Sequence, residues 1–291
     1  MVIEVNNLSK IYKSKVKHGF FKDTFKPEYR KVKAVDSIKL EINKGESVAF
    51  LGPNGAGKTT TMKMLSGLLY PSTGTVNVLG YFPFDRKEEF LRRIGLVMGN
   101  RSGLAWDLTP NQNFELARKI YQIPEKECQE RIDKLCDLLD VKEYMNIQVR
   151  KLSLGERMKM ELINSIIHNP EILFLDEPTI GLDIVSKQKI RNFLRNIQKE
   201  FGITLLLTSH DMDDIEKVSD RVIIINHGRI IFDDDIEQLT QKYKSKKYLT
   251  LILEEEVAKD KVKKYGKIID QKPYCYTLEI DTSKQAEILA L

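Results

Sequence analysis

The chain has 291 residues, 42% of them hydrophobic and 31% charged, with a net charge of +5. That length holds one large domain, alone or with a small second one, and the balance is that of a soluble globular protein. Its longest apolar runs, such as residues 222–225, are far too short to cross a bilayer, and Met1-Val2-Ile3-Glu4-Val5 alternates like a strand rather than a signal peptide. The expectation is a cytoplasmic chain that reaches a membrane only through a partner. Cys128, Cys136 and Cys275 lack metal-ligand spacing and read as thiols in a reducing compartment. The positive charge is local: between Lys13 and Lys33, eight Lys or Arg face Asp23 and Glu28, a net of +6. The rest of the chain is close to neutral, which argues against nucleic acid as a partner.

In chain order, a first strand and the basic segment 13–33 lead to a strand at 37–42 and a buried strand at 47–51. That strand runs into the loop Gly52-Pro53-Asn54-Gly55-Ala56-Gly57-Lys58-Thr59-Thr60. The loop opens a helix expected over 58–70, stopped by Pro71. Strands follow at 74–79 and 94–98. Residues 109–168 read as helical, with Thr109, Pro110 and Gln112 as N-cap, first-turn proline and capping-box glutamine. Ile132, Leu135, Cys136, Leu138 and Leu139 form an amphipathic stripe. A helical block at about 104–168 is thus inserted between two halves of an α/β core. The core resumes with strands at 172–175, 203–208 and 221–225, and the alternation with helices implies a largely parallel sheet. From about residue 241 a small α+β appendage is expected, with strands near 248–253 and 274–280, a last helix over 283–291 and no closing strand.

Gly52, Gly57, Lys58 and Thr59 form G-x-x-x-x-G-K-T. Glycines let successive backbone N–H groups converge on phosphates, Lys58 neutralises the β and γ groups, and Thr59 can ligate Mg²⁺. Residues 172–175 form an apolar strand delivering Asp176 and Glu177 at its carboxyl end, where open α/β sheets place ligands. Asp176 would hold Mg²⁺ through water and Glu177 would polarise the attacking water. His210 closes the next buried strand at the same edge, where an imidazole can contact the γ-phosphate and hold the water and Glu177. The run Leu152-Ser153-Leu154-Gly155-Glu156 offers a hydroxyl and backbone N–H groups at a helix start. With one phosphate cradle already complete, this second anion site reads as serving another copy's nucleotide.

This ordered set, together with Gly181-Leu182-Asp183 and Ser209-His210-Asp211, resembles the ATP-binding cassette family over roughly residues 1–240. The resemblance implies an ABC-type P-loop NTPase domain: a mostly parallel core, an antiparallel β-subdomain and an inserted helical subdomain, followed by an accessory module at 241–291. It implies a head-to-tail dimer with two ATP sandwiched between the phosphate loop of one copy and Ser153, Gly155 and Glu156 of the other. Asp183 would cross the interface and Tyr12 would stack on adenine. The family's Q-loop glutamine is missing: Gly99 or Asn100 falls there, and Asn100 is preferred because it keeps an amide that can reach metal or water. Leu154 and Glu156 stand where the general pattern has glycine and glutamine.

Residues 94–108, Lys151 to Lys159, 174–183 and 207–216 most resemble ATPase subunits of ABC-2-type exporters. Such subunits couple ATP hydrolysis to a separate integral-membrane permease, which would hold this chain at the cytoplasmic face of the membrane. The alternatives are an importer's ATPase and a soluble non-transport cassette protein. Phe21 and Phe25, one helical turn apart among lysines, suggest a patch facing anionic lipid or the permease, or else a solvated loop. Trp106 with Asp107 and Leu108 reads either as a permease-docking point or as core of the helical block.

Overall fold

In a computed structural model, two long strands, Ile3–Lys15 (β1) and Tyr29–Ile42 (β2), precede the short strand Ser47–Leu51 (β3). Helix Lys58–Leu65 (α1) and strand Thr73–Val78 (β4) follow. The structure describes residues 1–15, 29–99, 102–244, 246–253 and 262–281. β1 pairs antiparallel with β2 and β4, setting Ile3 opposite Ile42 and Val78, and Val5 opposite Leu40 and Val76. These residues are buried, and with Phe50, Met62, Leu65 and Phe174 they form one apolar core joining this sheet and α1 to the central sheet.

The chain continues through Glu88–Leu91 (α2), Ile94–Met98 (β5), Pro110–Tyr121 (α3), Glu125–Leu139 (α4) and Leu154–Ile166 (α5). It returns as Ile172–Asp176 (β6), Ile184–Phe201 (α6), Thr204–Thr208 (β7), Met212–Val218 (α7), Arg221–Asn226 (β8) and Arg229–Asp235 (β9). The central sheet has the order β5-β6-β7-β3-β8-β9, and β5 to β8 run parallel with β3 among them. Every residue of β6 and β7 is buried. A parallel sheet covered on both faces requires this, which is why residues 172–175 and 205–207 read as unbroken apolar strings. Register then sets Asp176 beside both Met98 and Thr208 at the carboxyl edge.

Helix α3 has the capping box read from the sequence, with Thr109 and Gln112 bonded reciprocally at 2.9 and 3.3 Å. On α4, Ile132, Leu135, Cys136 and Leu139 are buried, whereas Leu138 is 38% exposed. Two expectations are corrected, and one falls on residues the structure does not describe. The strand expected at 37–42 begins at Tyr29, so Tyr29 to Lys33 belong to a ladder and not to an open insertion. Phe21 and Phe25 lie outside the described residues. Helix α1 ends at Leu65 and not near Tyr70. The stop is Gly67 (φ +75), where a Cβ would lie 2.2 Å from the Pro83 carbonyl oxygen, so chain crossing and left-handed backbone end the helix before Pro71 is reached.

The chain divides into two compact units, Met1–Asp233 and Asp234–Leu291. In the second, Ile236–Lys244 (α8) precedes strands Lys246–Ile252 (β10), Lys267–Lys272 (β11) and Cys275–Asp281 (β12). They form an antiparallel sheet in the order β10-β12-β11. The tail therefore closes its sheet with β11, a strand the sequence reading missed. Val262, Tyr276, Leu278 and Ile280 form its small core. The helix expected over 283–291 lies outside the described residues.

Candidate active site

The glycine loop joins β3 to α1 at the sheet's carboxyl edge. Gly52 has φ +151, and a Cβ there would sit 2.1 Å from the Ile225 carbonyl oxygen. At Gly57, with φ +114, a Cβ would sit 2.5 Å from the Ala34 carbonyl oxygen. Only glycine permits this close backbone path, which turns peptide N–H groups inward. Lys58 is 5% exposed, and its ammonium donates to the carbonyl oxygens of Gly52 at 2.7 Å and Pro53 at 3.3 Å. The loop thus holds its own cation in place.

Thr59 Oγ1 and Thr208 Oγ1 both donate to Asp176 Oδ1, at 2.8 and 2.7 Å. Two hydroxyls on one oxygen leave Asp176 Oδ2 for another ligand. Thr208 was not singled out from the sequence; its signal is a threonine ending the strand that neighbours the acidic one. The next residue, Glu177, has φ +54, and its N–H donates to both the carbonyl oxygen and Oγ1 of Thr208, at 3.1 and 3.0 Å. A left-handed glutamate is strained, and such strain concentrates at functional sites. It brings Glu177 Oε2 to 2.8 Å from His210 Nδ1. A carboxylate only accepts, so Nδ1 carries the proton, on a side chain 56% exposed.

Behind this pair lies a buried charge network. Asp214 Oδ2 accepts from Thr179 Oγ1 at 2.5 Å and Ser209 Oγ at 2.7 Å, while Asp214 Oδ1 accepts from Arg191 Nε at 2.6 Å. The Arg191 and Asp214 side chains are 6% and 1% exposed. Arg191 and Lys187 also reach Asp211 Oδ2, at 3.2 and 2.8 Å. Lys187 leads the effects that hold the Asp211 carboxyl below its usual range. Thr179 follows Glu177 by two residues and Ser209 precedes His210 by one, so Asp214 ties the segments carrying Glu177 and His210 together.

Ser153 caps α5. Its Oγ accepts from the Glu156 N–H at 3.3 Å, and Glu156 Oε2 accepts from the Ser153 N–H at 2.8 Å. Burial works to raise the Glu156 pKa, but the Ser153 bonds win and hold it below the ordinary value. The acid standing in place of glutamine therefore fastens the helix start. Leu154 also has a local contact: a Cβ on Gly181 would lie 3.2 Å from Leu154 Cδ2. A Cβ on Gly155 would lie 2.8 Å from Ser186 Oγ. Asp183 caps α6 through Ser186 N at 2.9 Å and Ser186 Oγ at 2.6 Å, which lowers its pKa. Beyond it Ile184 and Val185 are 85% and 67% exposed. The run 152–156 and the segment 181–186 are thus packed on each other within one chain.

Tyr12 sits on β1 opposite Val32, 42% exposed, with the Lys10 ammonium 5.5 Å from its ring centroid. Asn100 lies outside the described residues. Its neighbour Gly99 donates from its N–H to the Asp176 carbonyl oxygen at 2.8 Å, and a Cβ there would be 2.4 Å from the Glu177 carbonyl oxygen. Trp106 is 53% exposed with the Arg157 guanidinium 5.1 Å from its ring, so it is not core of the helical block.

A phosphate loop, a strand-end acid pair and a strand-end histidine on one edge define a P-loop ATPase cassette. The ABC transporter family model matches residues 35–180. The chain is 36% identical over 221 residues to ABC transporter ATP-binding protein NatA of Bacillus subtilis, covering 76% of this chain and 89% of that one. It is 34% identical over 228 residues to bacitracin transport ATP-binding protein BcrA of Bacillus licheniformis, covering 78% and 72%. A solved ATP binding subunit of an ABC transporter superposes with a TM-score of 0.69 at 25% identity, over 84% of this chain and 93% of that one. The chain belongs to the ABC transporter family as an ATP-binding subunit, and it is an ATPase.

Proposed function

We propose that this chain is the ATP-hydrolysing subunit of an ABC-2-type exporter. Two copies close on two Mg-ATP, closure drives a separate membrane-spanning permease, and hydrolysis with product release resets the pair. The observation that carries the reading is the Glu177–His210 contact at 2.8 Å, set one residue beyond an Asp176 already bonded to the phosphate-loop Thr59. Glu177 takes a proton from the attacking water, and His210 fixes Glu177 through Nδ1–H; as an imidazolium, with both nitrogens protonated, the ring also donates from Nε2 to the γ-phosphate. Lys58 and the loop N–H groups hold the β and γ phosphates. Catalysis is then mainly positioning and charge stabilisation of phosphoryl transfer to water.

Magnesium fits the residues present. The Thr59 hydroxyl and the Asp176 carboxylate are hard oxygen ligands on one point, and among the described residues no cluster of three acid, histidine or cysteine side chains forms a cage. Mg²⁺ suits such a sparse set, because it keeps waters and substrate phosphate oxygens as its other ligands. When bound it supplies charge neutralisation at the phosphates.

Ser153 and Gly155, at a capped helix start, serve the partner copy's nucleotide, and the exposed Ile184 and Val185 beside Asp183 face that copy. Tyr12 offers an exposed ring for adenine, and Trp106 an exposed aromatic for the permease. Among the described residues no helix is long and apolar enough to cross a membrane, so the permease would hold the chain at the cytoplasmic face. The exporter assignment rests on the resemblance over 94–108, 151–159, 174–183 and 207–216. Inside-out vesicles carrying the chain and its permease test it: ATP-driven accumulation of substrate is expected, and ATP-driven loss of preloaded substrate would mean import.

A further inference from the structure

A pocket of about 310 Å³ opens beside β5, walled by residues 94–96, by the loop at 103–104 and by one face of α5 with the turn after it. Glu161, Asn164, Ser165 and His168 line it at helical spacing, i, i+3, i+4 and i+7, so they share a face. What these side chains offer is hydrogen-bond acceptors. His168 Nε2 meets the Ile94 carbonyl oxygen at 2.9 Å and must carry the proton, which leaves Nδ1 a bare acceptor. His168 Nδ1 and Asn164 Oδ1 are buried with no hydrogen-bond partner among the described residues. Glu161 is 7% exposed, and its Oε2 accepts from the Gly103 N–H at 3.3 Å. The Ser165 hydroxyl is spent on the Leu162 carbonyl oxygen at 2.8 Å.

Folded proteins rarely leave buried acceptors unmet, and each exception calls for an explanation. Here two stand next to a buried carboxylate whose own donors, the Gly103 N–H at 3.3 Å and the Ser102 hydroxyl, leave acceptor sites open on its two oxygens. Among the described residues, the Arg157 guanidinium lies over the Trp106 ring and acts on Glu161 through its charge alone, and Arg86 is exposed at the rim. Tyr121 stacks flat on His168, with centroids 4.0 Å apart and an interplanar angle of 7°, and fixes the ring that carries Nδ1.

We propose that this pocket binds a protonated alkylamine or guanidinium group, held by His168 Nδ1, Asn164 Oδ1 and the Glu161 carboxylate. Only such a group brings several N–H donors and a compensating positive charge at once. Burial pushes the His168 pKa down to about 4, so at neutral pH the ring stays an acceptor. Burial also pushes the Glu161 carboxyl up, and a bound cation would reverse that. Two sources supply this chemistry, a basic side chain of a protein partner and a free polyamine. The inference is independent of transport direction.

The test is a titration of the full chain, labelled with ¹⁵N-histidine, with N-acetyl-arginine amide, spermidine and the uncharged isostere N-acetyl-citrulline amide. The chain has four histidines, so the imidazole signals can be assigned by substitution. A saturable shift of the His168 Nδ1 signal toward the hydrogen-bonded position is expected with the cations and not with citrulline. Tighter binding of the arginine derivative assigns a protein side chain, and tighter binding of spermidine assigns a free polyamine. Glu161→Gln is expected to weaken the response at least tenfold, and Asn164→Leu serves if that variant does not fold. No saturable shift with either cation, or an equal shift with citrulline, would overturn the proposal.

Discussion

Glu177 Oε2 and His210 Nδ1 lie 2.8 Å apart, and they meet only because Glu177 adopts φ +54 while its N–H is held by both oxygens of Thr208. Two strand ends are thereby cross-linked at the point where a γ-phosphate and its attacking water would be placed.

Changing Glu177 to Gln keeps the size and removes the base. Turnover should fall by about 10² to 10⁴ while ATP binding is retained. Steady-state hydrolysis alongside fluorescent-nucleotide binding measures both, and near-normal turnover would contradict the role.

His210→Ala removes the partner that fixes Glu177. Turnover should again fall by about 10² or more, and combining it with Glu177→Gln should add little, because residues acting as one unit are not additive. Fully multiplicative losses in the double variant would show that the two act separately.

Asp214 holds the segments carrying Glu177 and His210 from behind. Asp214→Ala leaves Arg191 buried without its main partner and should cost about 3–5 kcal/mol of stability. Asp214→Asn, which keeps an acceptor for Thr179 and Ser209, should be milder and lower kcat more than it raises KM. Equal stability in urea for wild type and Asp214→Ala would rule this out.

His168 makes stability depend on pH. Its folded pKa is depressed from 6.5 to about 4 by burial, with Arg131 acting in the same sense and the Ile94 carbonyl opposing. Below 6.5 the unfolded chain takes up a proton that the folded ring refuses. The stabilisation is therefore complete above pH 6.5 and is lost as pH falls toward 4, a change of about 3 kcal/mol. His168→Gln should flatten the melting temperature across that window, and an unchanged slope would contradict the assignment.

The phosphate loop, the acid pair and His210 were legible because each follows a short apolar string, and a parallel sheet covered on both faces makes such strings unmistakable. The α/β core with an antiparallel sheet and an inserted helical block was legible for the same reason, through its alternation of periods. What was not legible depends on distant partners. Thr208 acts on Asp176 across 32 residues, and Arg191 meets Asp214 across 23. In sequence both look like ordinary polar positions. The end of α1 at Leu65, before Gly67, and the strand β11 were missed because a chain crossing and a weakly apolar edge leave little local signal. Leu154 and Glu156 looked like departures from a pattern, yet one packs on Gly181 and the other closes a helix cap.

The central claim is that ATP is enclosed by two chains, the phosphate loop of one and the capped start of α5 of the other. Sedimentation of the Glu177→Gln chain with and without Mg-ATP tests it most directly. A dimer with Mg-ATP, a monomer without it, and a monomer in both when Ser153→Arg is added are the expected results. A chain that stays monomeric with saturating Mg-ATP, or dimerises equally without it, would contradict the account.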